Sequence, residues 1–174
     1  MVPESTISTR SDLLLQIEKA WSELQAYLAE LTDAQMTDIR DDQGWNVKDH
    51  IIHMAAWEES VAYLFERRPR HEALGIDESQ FANACFDEIN VIVKDQRKHI
   101  SLSPAMDEFR RVHGELIATV QRLSDADLNE PVARFFPQAP RNDDRRVLDL
   151  IYDNTAHHFE EHLPWIKALP ASRG

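Results

Sequence analysis

Residues 44–59 read GWNVKDHIIHMAAWEE. Asn46 is a strong helix N-cap residue, because its side-chain oxygen can take one of the orphan amide hydrogens at a helix start. From there Val47, His50, Met54, Trp57, Val61 and Leu64 form a stripe at helical spacing, with Ile51, Ala55 and Ala56 beside it. A helix that is apolar all round is buried all round, so this second helix is expected at the centre of the domain. ERRPRHEALG (66–75) ends it, with Pro69 and Gly75 as breakers.

Working outward, Thr9 and Asp12 read as a capping box for a first helix whose apolar positions are Leu14, Ile17, Trp21, Leu24, Leu28 and Leu31. Thr32 and Gln35 make a capping box for a short extra turn. A third helix is expected over 78–99. A fourth follows, with Ser103 as N-cap, Pro104 at the first helical position and Asp107 completing the box. Its stripe is Met106, Phe109, Val112 or His113, Leu116, Val120 and Leu123. The last helix is expected over 144–168, with Pro164 bending or shortening its final turn. ELQAYLAELTDAQM (23–36) aligns with ELIATVQRLSDADL (115–128), which suggests two helical hairpins related by a pseudo-two-fold axis. The expected fold is all-α: one domain over 1–174, a four-helix bundle with the third helix as an additional crossover.

Composition agrees. Only four glycines occur in 174 residues, few for a β-rich chain, and 43% of residues are hydrophobic against 29% charged. The net charge of −12 opposes the phosphate backbone, and RNDDRR (141–146) is interrupted by two aspartates, so no nucleic-acid partner is expected. Anionic membrane surfaces are disfavoured for the same reason, and no run approaches the ~18 apolar residues of a membrane span. MVPESTISTR lacks the pattern of a secretory signal, which points to the cytoplasm. The single cysteine, Cys85, is expected to pack in the core.

Eight histidines are present, and three fall in HHFEEHLPW (157–165). His158 and His162 are four apart, one above the other on a helix face. That spacing is weak evidence by itself, but both lie on the inward stripe extended from Ile151, where an imidazole must find a partner. His157 is rotated by about 100° from His158 and faces solvent. His53, on the apolar second helix, could face the pair. Three imidazoles from two helices suit Zn²⁺, Ni²⁺ or Fe²⁺, with an open position of the catalytic kind. Satisfied core histidines are the alternative.

GWNVKDHIIHMAAWEE also resembles the signature of the DinB-like superfamily (DinB/YfiT-like), in particular its ClbS/DfsB-type branch, in which a His stands eight residues after the Trp. Here these are Trp45 and His53. DNTAHHFEEHLPWI (153–166) resembles the family's last helix with its His-x-x-x-His, and residues 86–128 resemble the crossover and third bundle helix. The resemblance implies an up-down-down-up bundle and a metal-binding triad of His53, His158 and His162, often holding nickel or zinc. It also implies thiol-dependent transferases or isomerases, hydrolases, or resistance proteins acting on reactive small molecules. His50, His113 and His157 depart from that pattern and are read as bystanders, the alternative being that they assist as acid/base groups or orient a ligand.

A metal-dependent hydrolase or thiol-dependent transferase acting on a small molecule follows, with a low-molecular-weight thiol as a further cofactor. Glu161 and Glu58 are the candidate proton shuttles, and Asp49 and Asn154 could orient a ligand imidazole. The alternative is a sequestration protein holding a small toxic molecule in a pocket lined by Trp45, Trp57 and Phe159. A homodimer would need an exposed apolar face on the first or third helix.

Overall fold

Asn46 starts the central helix as its chemistry dictates. Its Oδ1 accepts the Asp49 amide at 2.8 Å, and Asp49 Oδ2 accepts the Asn46 amide at 3.2 Å, a reciprocal capping box. The Asn46 amide group also donates to the Thr37 carbonyl at 2.7 Å, tying this start to the preceding short helix. The computed structural model describes residues 7–140 and 142–171. The segment 1–6 read for a signal, Arg141 of RNDDRR and residues 172–174 of the expected domain lie outside the described residues.

Eleven helices occur among the described residues: α1 (Arg10–Glu30), α2 (Asp33–Thr37), α3 (Val47–Phe65), α4 (Arg70–Leu74), α5 (Glu78–Asn83), α6 (Phe86–Arg97), α7 (Leu102–Val120), α8 (Asp125–Asn129), α9 (Val132–Phe135), α10 (Val147–Asp153) and α11 (Ala156–Ala171). The fold is all-α, with a bundle of long helices and crossover pieces. Helix α3 packs on α7 and α11, and α1 packs mainly on α11, with lesser contact to α10 and α7; α4 and α6 cover the outer side of α3. Nearly every residue of α3 is buried, which meets the expectation of a central helix. The main core runs through Leu13, Ile17, Leu24, Met54, Phe109, Leu116, Ile151 and Phe159. A smaller one under the crossover holds Trp57, Leu74, Ile76, Ile89 and Val93. No helix among the described residues is long and apolar enough to cross a membrane.

The internal repeat is visible in the caps. Helix α2 begins at a Thr32/Gln35 capping box and α8 at a Ser124/Asp127 box, each just after a long helix. Gly75 closes α4 at φ +70°, a left-handed conformation that L side chains rarely adopt, so the backbone here requires this breaker.

Three boundaries differ from expectation. The expected 78–99 helix is broken at Ala84–Cys85, where Glu88 reaches back to the Cys85 amide and starts α6 afresh. Cys85 is consequently an exposed N-cap residue, not a core one. Helix α7 begins after Ser101, which puts Pro104 at the third helical position, still within the turn that has no intrahelical donors. The expected 144–168 helix is interrupted at Asn154–Thr155. Asn154 Nδ2 donates to the Leu150 carbonyl and Thr155 Oγ1 to that of Ile151, both at 2.7 Å, competing with the backbone for those acceptors. Helix α11 then runs through Pro164, which sits on the exposed face, where a lost amide donor costs least.

Candidate metal centre

Helix α3 carries His50 and His53 one turn apart, and α11 carries His158 and His162 one turn apart. The four rings meet in two pairs. His53 Nε2 lies 2.8 Å from His158 Nε2, and His50 Nδ1 lies 2.8 Å from His162 Nδ1. The lower number on one helix meets the higher number on the other, so α3 and α11 run antiparallel through the site. Within the triad, ring centroids stand 4.8 Å (His53–His158), 4.7 Å (His53–His162) and 4.6 Å (His158–His162) apart. One nitrogen from each of His53, His158 and His162 falls within 4.8 Å of the others. The structure thus brings together the three histidines expected from sequence.

Tryptophans wall the cluster. Trp45 stands 5.3 Å from His50 and 5.6 Å from His53, Trp165 stands 4.9 Å from His162, and Trp57 lies 6.3 Å from His53. This dry setting dominates the electrostatics. Burial, reinforced by the neighbouring imidazoles, holds His53 and His162 well below the usual histidine range. Burial likewise lowers His158 to about 3 and His50 to about 4. All four are neutral at physiological pH, with lone pairs that no proton contests.

The donor set fits a divalent cation of the imidazole-preferring kind. Two neutral rings whose Nε2 atoms face each other can share only one proton at that contact. For both to act as ligands, each must carry its proton on Nδ1, and the Nδ1 atoms of His53 and His158 are both buried without a hydrogen-bond partner. No other His, Cys, Asp or Glu groups with the triad among the described residues, so a coordination position would remain for an exogenous group.

The other expected site residues are placed elsewhere. Glu161 is half exposed and lies 3.5 Å from His157 Nε2, itself stacked on Tyr152. Glu58 is fully buried inside the bundle against His113. Phe159 sits in the main core beside Trp21, Phe109 and His113. Asp49 is occupied by the α3 cap and by Arg40 at 3.0 Å. Asn154 is held by Arg70, whose Nη2 donates to its Oδ1 at 2.7 Å. His50 and Trp165 are the residues that sequence reasoning passed over. The signal was there: His50 is three before His53, and Trp165 three after His162, each on the face of its neighbour.

Fold and site together define a helical-bundle protein with a buried three-histidine cluster able to coordinate a metal ion. The chain belongs to the DinB superfamily, whose family model matches residues 16–162. A comparison with curated proteins returns no match. Solved structures of similar fold include a protein from Streptococcus pneumoniae (TM-score 0.75, 18% identity, 94% of this chain and 91% of that one). Another is the colibactin self-resistance protein ClbS in complex with a dsDNA (TM-score 0.74, 16% identity, 95% and 98%). A third is DfsB, described as a sibling lethal factor precursor (TM-score 0.71, 16% identity, 96% and 98%).

ClbS corrects one expectation. Nucleic acid was excluded as a partner on the net charge of −12, yet a protein of this fold is found with double-stranded DNA. Net charge sums the whole surface, whereas contact with a ligand is local, so the sum is no ground for exclusion.

Proposed function

We propose that this protein is a metal-dependent enzyme acting on a small reactive molecule, with His53, His158 and His162 holding Ni²⁺ or Zn²⁺. The observation that carries this reading is the convergence of three desolvated, neutral imidazoles from two antiparallel helices. A bound divalent ion supplies Lewis-acid activation of a water, a thiol or a substrate group. The chain's own contribution is to keep the ligand nitrogens unprotonated and to exclude bulk water with Trp45, Trp57 and Trp165. The fold relative named for colibactin self-resistance supports a reactive small molecule as the substrate class. A low-molecular-weight thiol is the proposed co-substrate for a transfer reaction, and water for a hydrolysis. Glu161, the more exposed of the two candidate carboxylates, is the one that a proton from outside can reach.

The test is metal content of the purified protein and of His158→Ala, followed by turnover of electrophilic small molecules with and without added thiol. About one equivalent of Ni²⁺ or Zn²⁺ in the wild type and a small fraction of that in the variant is expected. Failure of the wild type to take up either ion sinks the reading. A double-stranded DNA oligonucleotide belongs in the same binding panel.

A further inference from the structure

His50 has no part in the triad, yet it is buried at the centre with its Nδ1 2.8 Å from Nδ1 of His162. Two ring nitrogens at that distance share one proton, one donating and the other accepting. If His50 donates, neutral His162 must carry its own proton on Nε2, and both of its nitrogens are closed to a cation. If His162 donates, its Nε2 presents a free lone pair. Only the second arrangement makes His162 a ligand, and Nε2 is then the atom that binds.

We propose that His50 is a positioning residue whose Nδ1 accepts the Nδ1–H of His162, fixing the tautomer and ring orientation that make His162 Nε2 a metal ligand. The inference rests on the reading of His53, His158 and His162 as a metal triad. It is favoured by an asymmetry: Nδ1 of His53 and Nδ1 of His158 are buried without partners, so His162 alone of the three has a nitrogen held by a ring outside the triad. A ligand imidazole whose remote N–H is held keeps its orientation and gains basicity. His50 is itself held firmly. It lies in the first turn of α3, which the Asn46/Asp49 box fixes, and its ring packs near Trp45 at 5.3 Å and Trp165 at 6.4 Å. The arrangement leaves the remaining His50 proton on Nε2, a buried donor without a partner.

Cobalt binding to the intact chain tests this, read as affinity by competition with a chelating indicator and as coordination number from the Co²⁺ absorption spectrum. His50→Phe keeps an aromatic ring at the position, somewhat larger, and removes the acceptor. It is expected to weaken Co²⁺ binding by roughly 10–100-fold, with one equivalent still bound and the spectrum unchanged in intensity. His50→Gln can accept the same N–H through its amide oxygen and is expected to bind more tightly than His50→Met, a comparison that stands even if His50→Phe does not fold. Equal affinities of the Gln and Met variants, or wild-type affinity in His50→Phe, would overturn the positioning role while leaving the triad intact. A changed coordination number in His50→Phe would make His50 a ligand and overturn it as well. Wild-type protein that binds no cobalt removes the triad reading, and the positioning role falls with it.

Discussion

Glu58 Oε1 lies 2.9 Å from His113 Nδ1, and both side chains are buried between α3 and α7. His113 stacks flat on Trp21, with 3.7 Å between ring centroids. Burial pushes the Glu58 carboxyl up, and the hydrogen bond from His113 pulls it partly back. Its second oxygen has no partner. Glu58→Ala removes one member of a buried polar pair and leaves a void, so a loss of about 2–4 kcal/mol is expected in urea denaturation. Its metal content should match the wild type. Glu58→Met combined with His113→Leu should cost less than the two single changes added, because neither partner is then left alone.

The buried histidines make stability depend on pH in a defined sense. In the unfolded chain each titrates near 6.5, whereas in the fold burial holds His50 near 4 and His158 near 3, with His53 and His162 also lowered. Below about pH 6.5 the unfolded chain therefore binds more protons than the native one. Stability is full above that value and falls towards the folded values, by up to about 1.4 kcal/mol per pH unit for each histidine. Glu58, Glu59 and Asp153 act in the opposite sense, since a carboxyl raised by burial loses its contribution as pH rises past its unfolded value, 4.5 for the glutamates and 3.8 for the aspartate. The four histidine shifts outweigh these, so the urea midpoint should drop between about pH 7 and about pH 5. A flat profile would show that the imidazoles are not held neutral.

A cation that binds only the native state stabilises it by mass action, by about 4 kcal/mol at a thousand times its Kd. Adding Ni²⁺ to chelator-treated protein should raise the thermal midpoint, and His53→Ala should abolish the rise. Trp165 stands 4.9 Å from His162, so loading with Ni²⁺ should also quench tryptophan fluorescence, less so in Trp165→Phe.

Arg70 joins three segments. Its guanidinium donates to Ser60 Oγ on α3 at 3.0 and 2.9 Å and to Asn154 Oδ1 at 2.7 Å, and it lies 5.3 Å from the Trp57 ring. It thereby holds the interruption between α10 and α11, four residues before His158. Arg70→Met should cost about 1–3 kcal/mol of stability, because Asn154 and Ser60 lose a charged donor. It should also weaken metal binding several-fold, whereas Arg110→Met, at the exposed pair with Asp107, should change neither by more than a few tenths of a kcal/mol.

What the sequence disclosed, it disclosed through local chemistry. The caps at Thr9, Thr32 and Asn46 and the all-round apolar character of residues 47–64 act within one turn of themselves, and each appears as expected. His158 and His162 were legible because their spacing and the inward stripe agree. The interruptions at Cys85 and Asn154 were not, since a helix can continue through either residue unless something distant or side-chain-specific favours the break; at Asn154 that is Arg70, 84 residues away in sequence. The meeting of His50 with His162 was not legible for the same reason. It depends on the register of α3 against α11, and no local pattern encodes the 2.8 Å contact with a ring 112 residues away. The position of Phe159 beside Trp21 and Phe109 was not legible because α11 meets both α1 and α3, so two inward positions on one helix can serve different neighbourhoods.

His53 and His158 are separated by 105 residues of chain. An ion gripped by both is therefore a removable cross-link spanning more than half of the polypeptide. In the entropy of loop closure it belongs with long-range staples, whose effect falls chiefly on the disordered chain. The copy loaded with metal during synthesis and the copy that never meets an ion would then differ most in how often the last helix lets go, and so in how long each survives a protease.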